Sequence, residues 1–357
     1  MATLQPEHRI RPVPVYVKLL VGLVFLLGFL LVSEFVFNAI EVEPAFKNQF
    51  FPLNRDIDFA DIYQKDARLF WRFRENQTID SRAFCYIDYH INSSGRRGPE
   101  TQRQKSGLRI VALGNSCTFG WGVPWAQTWT AQLEPLVKEQ YGNTVEIINA
   151  GVPGYSSHQG RIYFEEELVH LDPDVVLICF GWNDHWAAGL GIPDCDQQMP
   201  APWLLKGHNL LAPLKTYQFM RMLVLSLTDK KQNLTLGSVA TRRVSQDQFY
   251  MNLRSMVRLA HSRAITPILV VPPIAAMDIY FDETVSPFHR IHASYQQAIH
   301  DLAHRENLAV ADLQQVFDQR NDLFDDAYGD AVHYNSQGHA VAAQTIVEVL
   351  RPVYSSK

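Results

Sequence analysis

From about residue 106 the chain settles into a repeating pattern of short apolar runs separated by amphipathic stretches. Strand-like runs fall at 108–113, 145–149, 175–180, 267–271 and 308–311. Between them, apolar residues recur at helical spacing over 128–141, 159–170, 246–263 and 290–306, and a last helix is predicted at 336–350. Strands that alternate with helices pair in parallel and are covered on both faces. Burial on both faces explains runs that are apolar throughout rather than at every second position. The expectation is a three-layer α/β/α domain over 106–357 with a five-stranded parallel sheet. Residues 187–245 interrupt it after the third strand as an insertion. Its apolar run 220–227 reads as a helix packed on the domain, with a helix lying on a membrane as the alternative.

The amino-terminal pattern is of another kind. Residues 13–33 are apolar except Lys18, which lies near one end and can snorkel, and apolar character resumes after Glu34 at Phe35-Val-Phe37. About 20 such residues span a bilayer. A cleaved signal peptide is the competing reading, but the exit Glu34-Phe-Val-Phe-Asn-Ala39 lacks the small-x-small cleavage pattern, which favours an uncleaved anchor. His8, Arg9 and Arg11 precede the run and Glu34, Glu41 and Glu43 follow it. The positive-inside rule then places a tail, 1–12, in the cytoplasm, an anchor at 13–37, and everything after it on the periplasmic or extracellular side.

Residues 38–105 read as a lead-in packed on the main domain. Within it, the stretch from Ala67 to Arg74 alternates aromatic and basic residues. That fits an edge strand with one solvated face, or contact with a polyanion or lipid headgroups. Asn76, Asn92 and Asn233 stand in glycosylation sequons, which matter only in a eukaryotic secretory pathway.

Composition narrows the classes. A net charge of −5 gives no electrostatic case for nucleic acid. The cysteines, Cys85, Cys117, Cys179 and Cys195, have no metal-ligand spacing, so no zinc or other metal site is expected. Cys117 and Cys179 read as small buried residues, and pairing of Cys85 with Cys195 stays open. The sequence points to no particular protein partner.

Candidate chemistry gathers where predicted strands end. Arg109-Ile-Val-Ala-Leu-Gly-Asn-Ser116 is a buried strand running into a tight turn that holds a serine at the carboxyl edge of the sheet, where ligands bind in open α/β folds. Asn149-Ala-Gly-Val-Pro-Gly154 follows the second strand, and its glycines allow a backbone N–H to face an oxyanion. Gly181-Trp-Asn-Asp184 follows the third strand and offers a carboxamide donor at Asn183. Asp330-Ala-Val-His333 lies in a loop before the last helix, and its spacing lets one loop supply an imidazole and the carboxylate that orients it. Each segment alone is weak, since the chain has 13 histidines and a turn serine commonly caps a helix. Together and in this order they resemble the sequence blocks of the SGNH (GDSL-type) hydrolases over about residues 108–350.

The resemblance implies a flavodoxin-like α/β/α fold and a membrane-anchored bacterial type of member. It implies Ser116 as nucleophile, His333 as base, Asp330 as its orienting carboxylate, and the Ser116 N–H, Gly154 N–H and Asn183 amide as oxyanion donors, with no cofactor. Asn115 stands where the family usually has Asp; it keeps the hydrogen-bonding shape and loses the charge. The activity expected is hydrolysis of an ester-bearing carbohydrate or lipid through an acyl-enzyme. An O-acetyltransferase using the same triad is one alternative, and a non-catalytic glycan-binding or assembly subunit is another. Asp184 and His185 are candidates to line the pocket or to support it. Trp121, Trp182 and Trp186 are candidates to stack on a sugar or to pack the core, and His339 reads as structural.

Overall fold

A computed structural model describes residues 13–40, 62–79, 87–141, 144–188, 191–228, 241–275, 286–326 and 330–355. The tail 1–12, Cys85 and Asn233 lie outside the described residues. The chain begins with helix α1 (Val15–Ala39) and two antiparallel hairpins, β1 (Tyr63–Asp66) with β2 (Phe70–Phe73) and β3 (Gln77–Ile79) with β4 (Tyr89–Ile91). The main domain follows as β5 (Leu108–Gly114), α2 (Ser116–Phe119), α3 (Trp129–Tyr141), β6 (Val145–Gly151), α4 (Ser157–Glu166) and β7 (Val175–Cys179). Next come α5 (Pro202–Leu211), α6 (Lys215–Thr228), α7 (Gln246–Ser262), β8 (Thr266–Val271), α8 (Ser286–Glu306), β9 (Ala309–Asp312) and α9 (Leu313–Phe317). The last elements are β10 (Phe324–Asp326), β11 (Asp330–Tyr334) and α10 (Ser336–Ser355).

The expected sheet is present. Its order is β6-β5-β7-β8-β9 with every pairing parallel. One apolar cluster under α4, α7 and α8 and another under α3 and α10 cover its faces, making three layers. Because β6 and β7 flank β5, the strand order reverses beside β5, and the crevice beyond that strand's carboxyl end is the place for a ligand.

Three expectations are corrected. The 67–74 stretch is not a strand with a solvated face. Leu69, Phe70, Trp71 and Phe73 are all buried, and Arg72 is committed to Asp66 at 3.0 Å and Glu167 at 2.7 Å. The hairpin is tied down because Gln159 Nε2 donates to Leu69 O and Tyr155 Oη to Trp71 O, which leaves Arg72 pairing inward rather than with a polyanion. The run 220–227 is helical but does not pack on the sheet domain: α6 buries Thr216 and Gln218, whereas Met220 and Leu227 are exposed, and its neighbour is α1. The segment carrying Asp330 and His333 is a strand, β11, hydrogen-bonded to β10, rather than a loop. As for the sequon at Asn92, that side chain is 2% exposed. Its Nδ2 donates to Pro99 O and its Oδ1 accepts from Ser94 and Arg96 N–H, so a glycan has no room.

Candidate active site

The first side chain is set by the turn after β5. Asn115 caps α2, its Oδ1 accepting from Cys117 N–H at 3.0 Å, so the capping role expected of an aspartate is kept by the amide oxygen. Asn115 Nδ2 is buried without a hydrogen-bond partner among the described residues. Gly114 has no room for a side chain, since a Cβ there would lie 2.7 Å from Cys179 O and 2.1 Å from Thr118 Oγ1. Asn149 Nδ2 donates to Thr118 O at 2.8 Å, fastening α2 to the end of β6. Ser116 is thereby held half-buried at the switch point.

β11 brings the other two residues. Asp330 Oδ1 accepts from Val332 and His333 N–H, which curls the start of the strand and turns Oδ2 to the His333 ring. His333 Nδ1–H donates to Asp330 Oδ2 at 2.6 Å, and Ser116 Oγ–H donates to His333 Nε2 at 2.8 Å. Burial pushes the Asp330 carboxyl up, but the His333 ring and the two N–H donors outweigh it and hold the group below the usual carboxylate range. The half-buried Trp121 stacks on His333, with ring centroids 5.7 Å apart.

The loops after β6 and β7 meet over the end of β5. Asn183 Nδ2 donates one hydrogen to Tyr155 O at 3.0 Å, which leaves its second amide hydrogen for another acceptor. Gly154 sits at φ +81°, a backbone region that disfavours other residues. Asp184 and His185, adjacent to Asn183, are buried supports rather than pocket walls. The Asp184 carboxylate accepts from Ser157 and Gly181 N–H and is pushed up to about 6 by burial. His185 Nε2 lies 3.1 Å from His292 Nδ1, and Trp182 stacks on His292 at 3.9 Å, which makes this tryptophan core.

Four residues that brace the site are not among the site candidates the sequence offers. Arg243, at the end of the 187–245 stretch, donates from Nη1 to Gly154 O at 2.7 Å and grips Asp194 with Nε and Nη2. Asp194 Oδ2 also accepts from Ser156 Oγ at 2.6 Å. Trp71 Nε1 donates to Pro153 O at 3.3 Å. Arg97 donates to the carbonyls of Phe119, Gly120 and Val123, bracing the turn that presents Trp121. Burial pushes the Arg97 guanidinium down to about 10.

His339 Nδ1 accepts from Trp129 N–H at 3.2 Å, and burial pushes it down to about 3; His185 and His292 are pushed down by burial as well. These groups add stability that is fully present above the ordinary value of 6.5 and is lost as pH falls through their folded values. Asp184 acts in the opposite sense over part of that window, because its raised carboxyl favours the fold as pH drops below about 6. Three imidazoles outweigh one carboxyl, so denaturant unfolding of the full chain in detergent is expected to show stability falling on acidification from neutral pH. In His339→Gln, where the amide oxygen still accepts from Trp129, the fall is expected to be shallower.

A five-stranded parallel α/β/α sheet with a Ser–His–Asp hydrogen-bond chain at its switch point is the framework of a serine hydrolase. The chain belongs to the GDSL-like lipase/acylhydrolase family, whose model matches residues 112–341. It is 30% identical over 76 residues to an arylesterase of Vibrio mimicus, covering 21% of this chain and 38% of that protein. It is also 30% identical over 94 residues to the uncharacterized lipoprotein YqeF of Bacillus subtilis (strain 168), covering 25% of this chain and 37% of that one. The chain thus spans less than two fifths of either curated relative. Among solved structures it is similar to Axe2, an acetylxylan esterase from Geobacillus stearothermophilus, at 17% identity and TM-score 0.46, covering 70% of this chain and 96% of that one. It is also similar to a lipase/acylhydrolase from Enterococcus faecalis at 20% identity and TM-score 0.42, covering 69% and 96%.

Proposed function

We propose that the protein is a serine esterase that works through an acyl-enzyme on an ester of an extracytoplasmic polysaccharide or lipid. The observation that carries this is the unbroken hydrogen-bond chain from Ser116 Oγ through His333 to Asp330, at 2.8 and 2.6 Å. Ser116 Oγ attacks the ester carbonyl as its proton passes to His333 Nε2. Asp330 holds Nδ1–H and stabilises the imidazolium that forms. The oxyanion is held by the Ser116 N–H, the Gly154 N–H and the second hydrogen of Asn183 Nδ2. His333 then protonates the departing alcohol, water attacks the acyl-enzyme, and the acid is released. Trp121 beside His333 gives the alcohol side of the ester an apolar face on which a sugar ring stacks. α1 is long and apolar enough to cross a membrane, and the basic residues ahead of it support an uncleaved anchor with the esterase domain outside.

The test is mass spectrometry of the full chain in detergent after a serine-reactive fluorophosphonate, and again after p-nitrophenyl acetate. One adduct on Ser116, lost in His333→Ala, is the expected result; no adduct on the folded chain overturns the reading. Oligosaccharide acceptors in the second reaction distinguish release of acetate from transfer to sugar. Asn183→Ala is expected to lower kcat roughly 10²–10³-fold with adduct formation slowed in parallel, read by ester turnover under saturating substrate.

A further inference from the structure

The α5–α6 pair carries an apolar surface for which the esterase has no use. Trp203, Leu210 and Leu227 are 72%, 78% and 79% exposed, far beyond ordinary scattered surface leucines. Trp203 and Leu210 are seven residues apart on α5, and Met220 and Leu227 seven apart on α6, so each helix presents a stripe. His208 Nδ1 lies 2.9 Å from Tyr217 Oη and Gln218 Nε2 donates to Ala212 O, which fastens the two helices together. The pair is also fixed to the esterase domain. Asn209 accepts from Lys65 N–H and donates to Lys65 O, both at 2.8 Å, on strand β1 of the buried hairpin.

The level of this surface relative to α1 is set by one side chain. Glu34 accepts from the N–H groups of Lys215 and Thr216, at 3.1 and 2.8 Å, the unpaired donors at the start of α6. The rings of Phe37 and Phe219 pack beside it, tilted at 31° with centroids 5.2 Å apart. Lys18 and Glu34 are the charged residues of α1, and they are 16 positions apart, about 24 Å along a helix. Centred in a hydrocarbon layer of about 30 Å, each backbone position lies about 3 Å inside an edge, within reach of its own side chain. The carboxylate of Glu34 therefore marks the outer edge, and the first turn of α6 stands there with it.

We propose that α5 and α6 lie on the outer bilayer surface beside α1, with their apolar stripes in the boundary between headgroups and acyl chains, so that the esterase sheet is held against lipid. The occupant is the bilayer itself because the stripes continue an apolar helix with no buried residue, at the depth that helix fixes. Trp203 suits the interface, and Lys206 and Lys215 suit lipid phosphate. This rests on the reading that α1 is a membrane anchor.

The experiment uses the full chain in phosphatidylethanolamine–phosphatidylglycerol nanodiscs, in a Cys85→Ser, Cys195→Ser background. A nitrobenzoxadiazole label is placed singly at Leu26→Cys, Leu210→Cys, Leu227→Cys or Met251→Cys. Met251, exposed on α7, is the aqueous control. Labels at 210 and 227 are expected to shift to the blue, to escape iodide, and to be quenched most by doxyl lipid labelled near the headgroup. The label at 26 is expected to be quenched most by doxyl at the chain end, and that at 251 by iodide. Labels at 210 and 227 that behave like 251 overturn the proposal and leave the anchor standing. Labels there that escape both iodide and doxyl lipid show a protein cover and overturn it too. A label at 26 untouched by doxyl lipid overturns the anchor and this proposal together. None of these readouts depends on esterase activity.

Discussion

Ser116→Ala is expected to lower ester turnover roughly 10⁴–10⁶-fold while leaving the fold intact. The fold survives because the helix cap belongs to Asn115 and the Ser116 hydroxyl bonds only His333 Nε2 among the described residues. His333→Ala is expected to cost nearly as much, and the double variant little more than either alone. Nucleophile and base act as one unit, so removing the second member of a broken pair removes little further. Asp330→Asn is expected to cost less than either. Its Oδ1 still accepts from Val332 and His333 N–H and keeps the strand curled, but the amide no longer fixes the imidazole tautomer. Steady-state kinetics with an activated ester, alongside circular dichroism of each variant, tests the set. Independent, multiplying losses from Ser116→Ala and His333→Ala would sink the triad assignment, as would turnover that survives Ser116→Ala.

The sheet was legible in the sequence because a strand buried on both faces leaves no choice of residue. All five strands stand within a residue or two of the runs at 108–113, 145–149, 175–180, 267–271 and 308–311. Residues 330 to 334 were harder. Asp, Gly and Tyr around position 328 read as turn chemistry, and a short antiparallel pairing leaves no pattern long enough to detect. The pairing of Asp330 with His333 expected from their spacing holds nonetheless, since an Asx turn at Asp330, and not the strand itself, swings the carboxylate to the ring. The supports were not legible at all. Arg97, Trp71 and Arg243 act through backbone carbonyls 22 to 89 positions away, and a bond to a carbonyl places no demand on the residue that bears it. The apolar run 220–227 is legible as a helix, but the face its apolar residues take is not: Met220, Leu223, Val224 and Leu227 are exposed. Nothing in a helix's own sequence says whether its stripe meets a sheet or a membrane.

Arg243 is where that hidden support has its largest expected effect. Its guanidinium fills the angle between the Gly154 carbonyl, Gln159 Oε1 and both oxygens of Asp194, which is 3% exposed. Arg243→Met leaves a buried carboxylate unpaired, which costs on the order of 3–5 kcal/mol. It also frees the peptide plane at Gly154, whose N–H is a proposed oxyanion donor, so kcat is expected to fall about 10²-fold with KM little changed. Stability and rate are separable in the double variant Arg243→Met, Asp194→Asn. The amide still accepts from Ser156 Oγ, and no charge is left buried, so much of the stability is expected to return. The Gly154 carbonyl still lacks its donor, so kcat is expected to stay low. A residue that merely held the fold together would give back rate and stability in step; one that positions the oxyanion loop gives back only the stability. Denaturant unfolding and saturating ester kinetics on the same preparations decide between them.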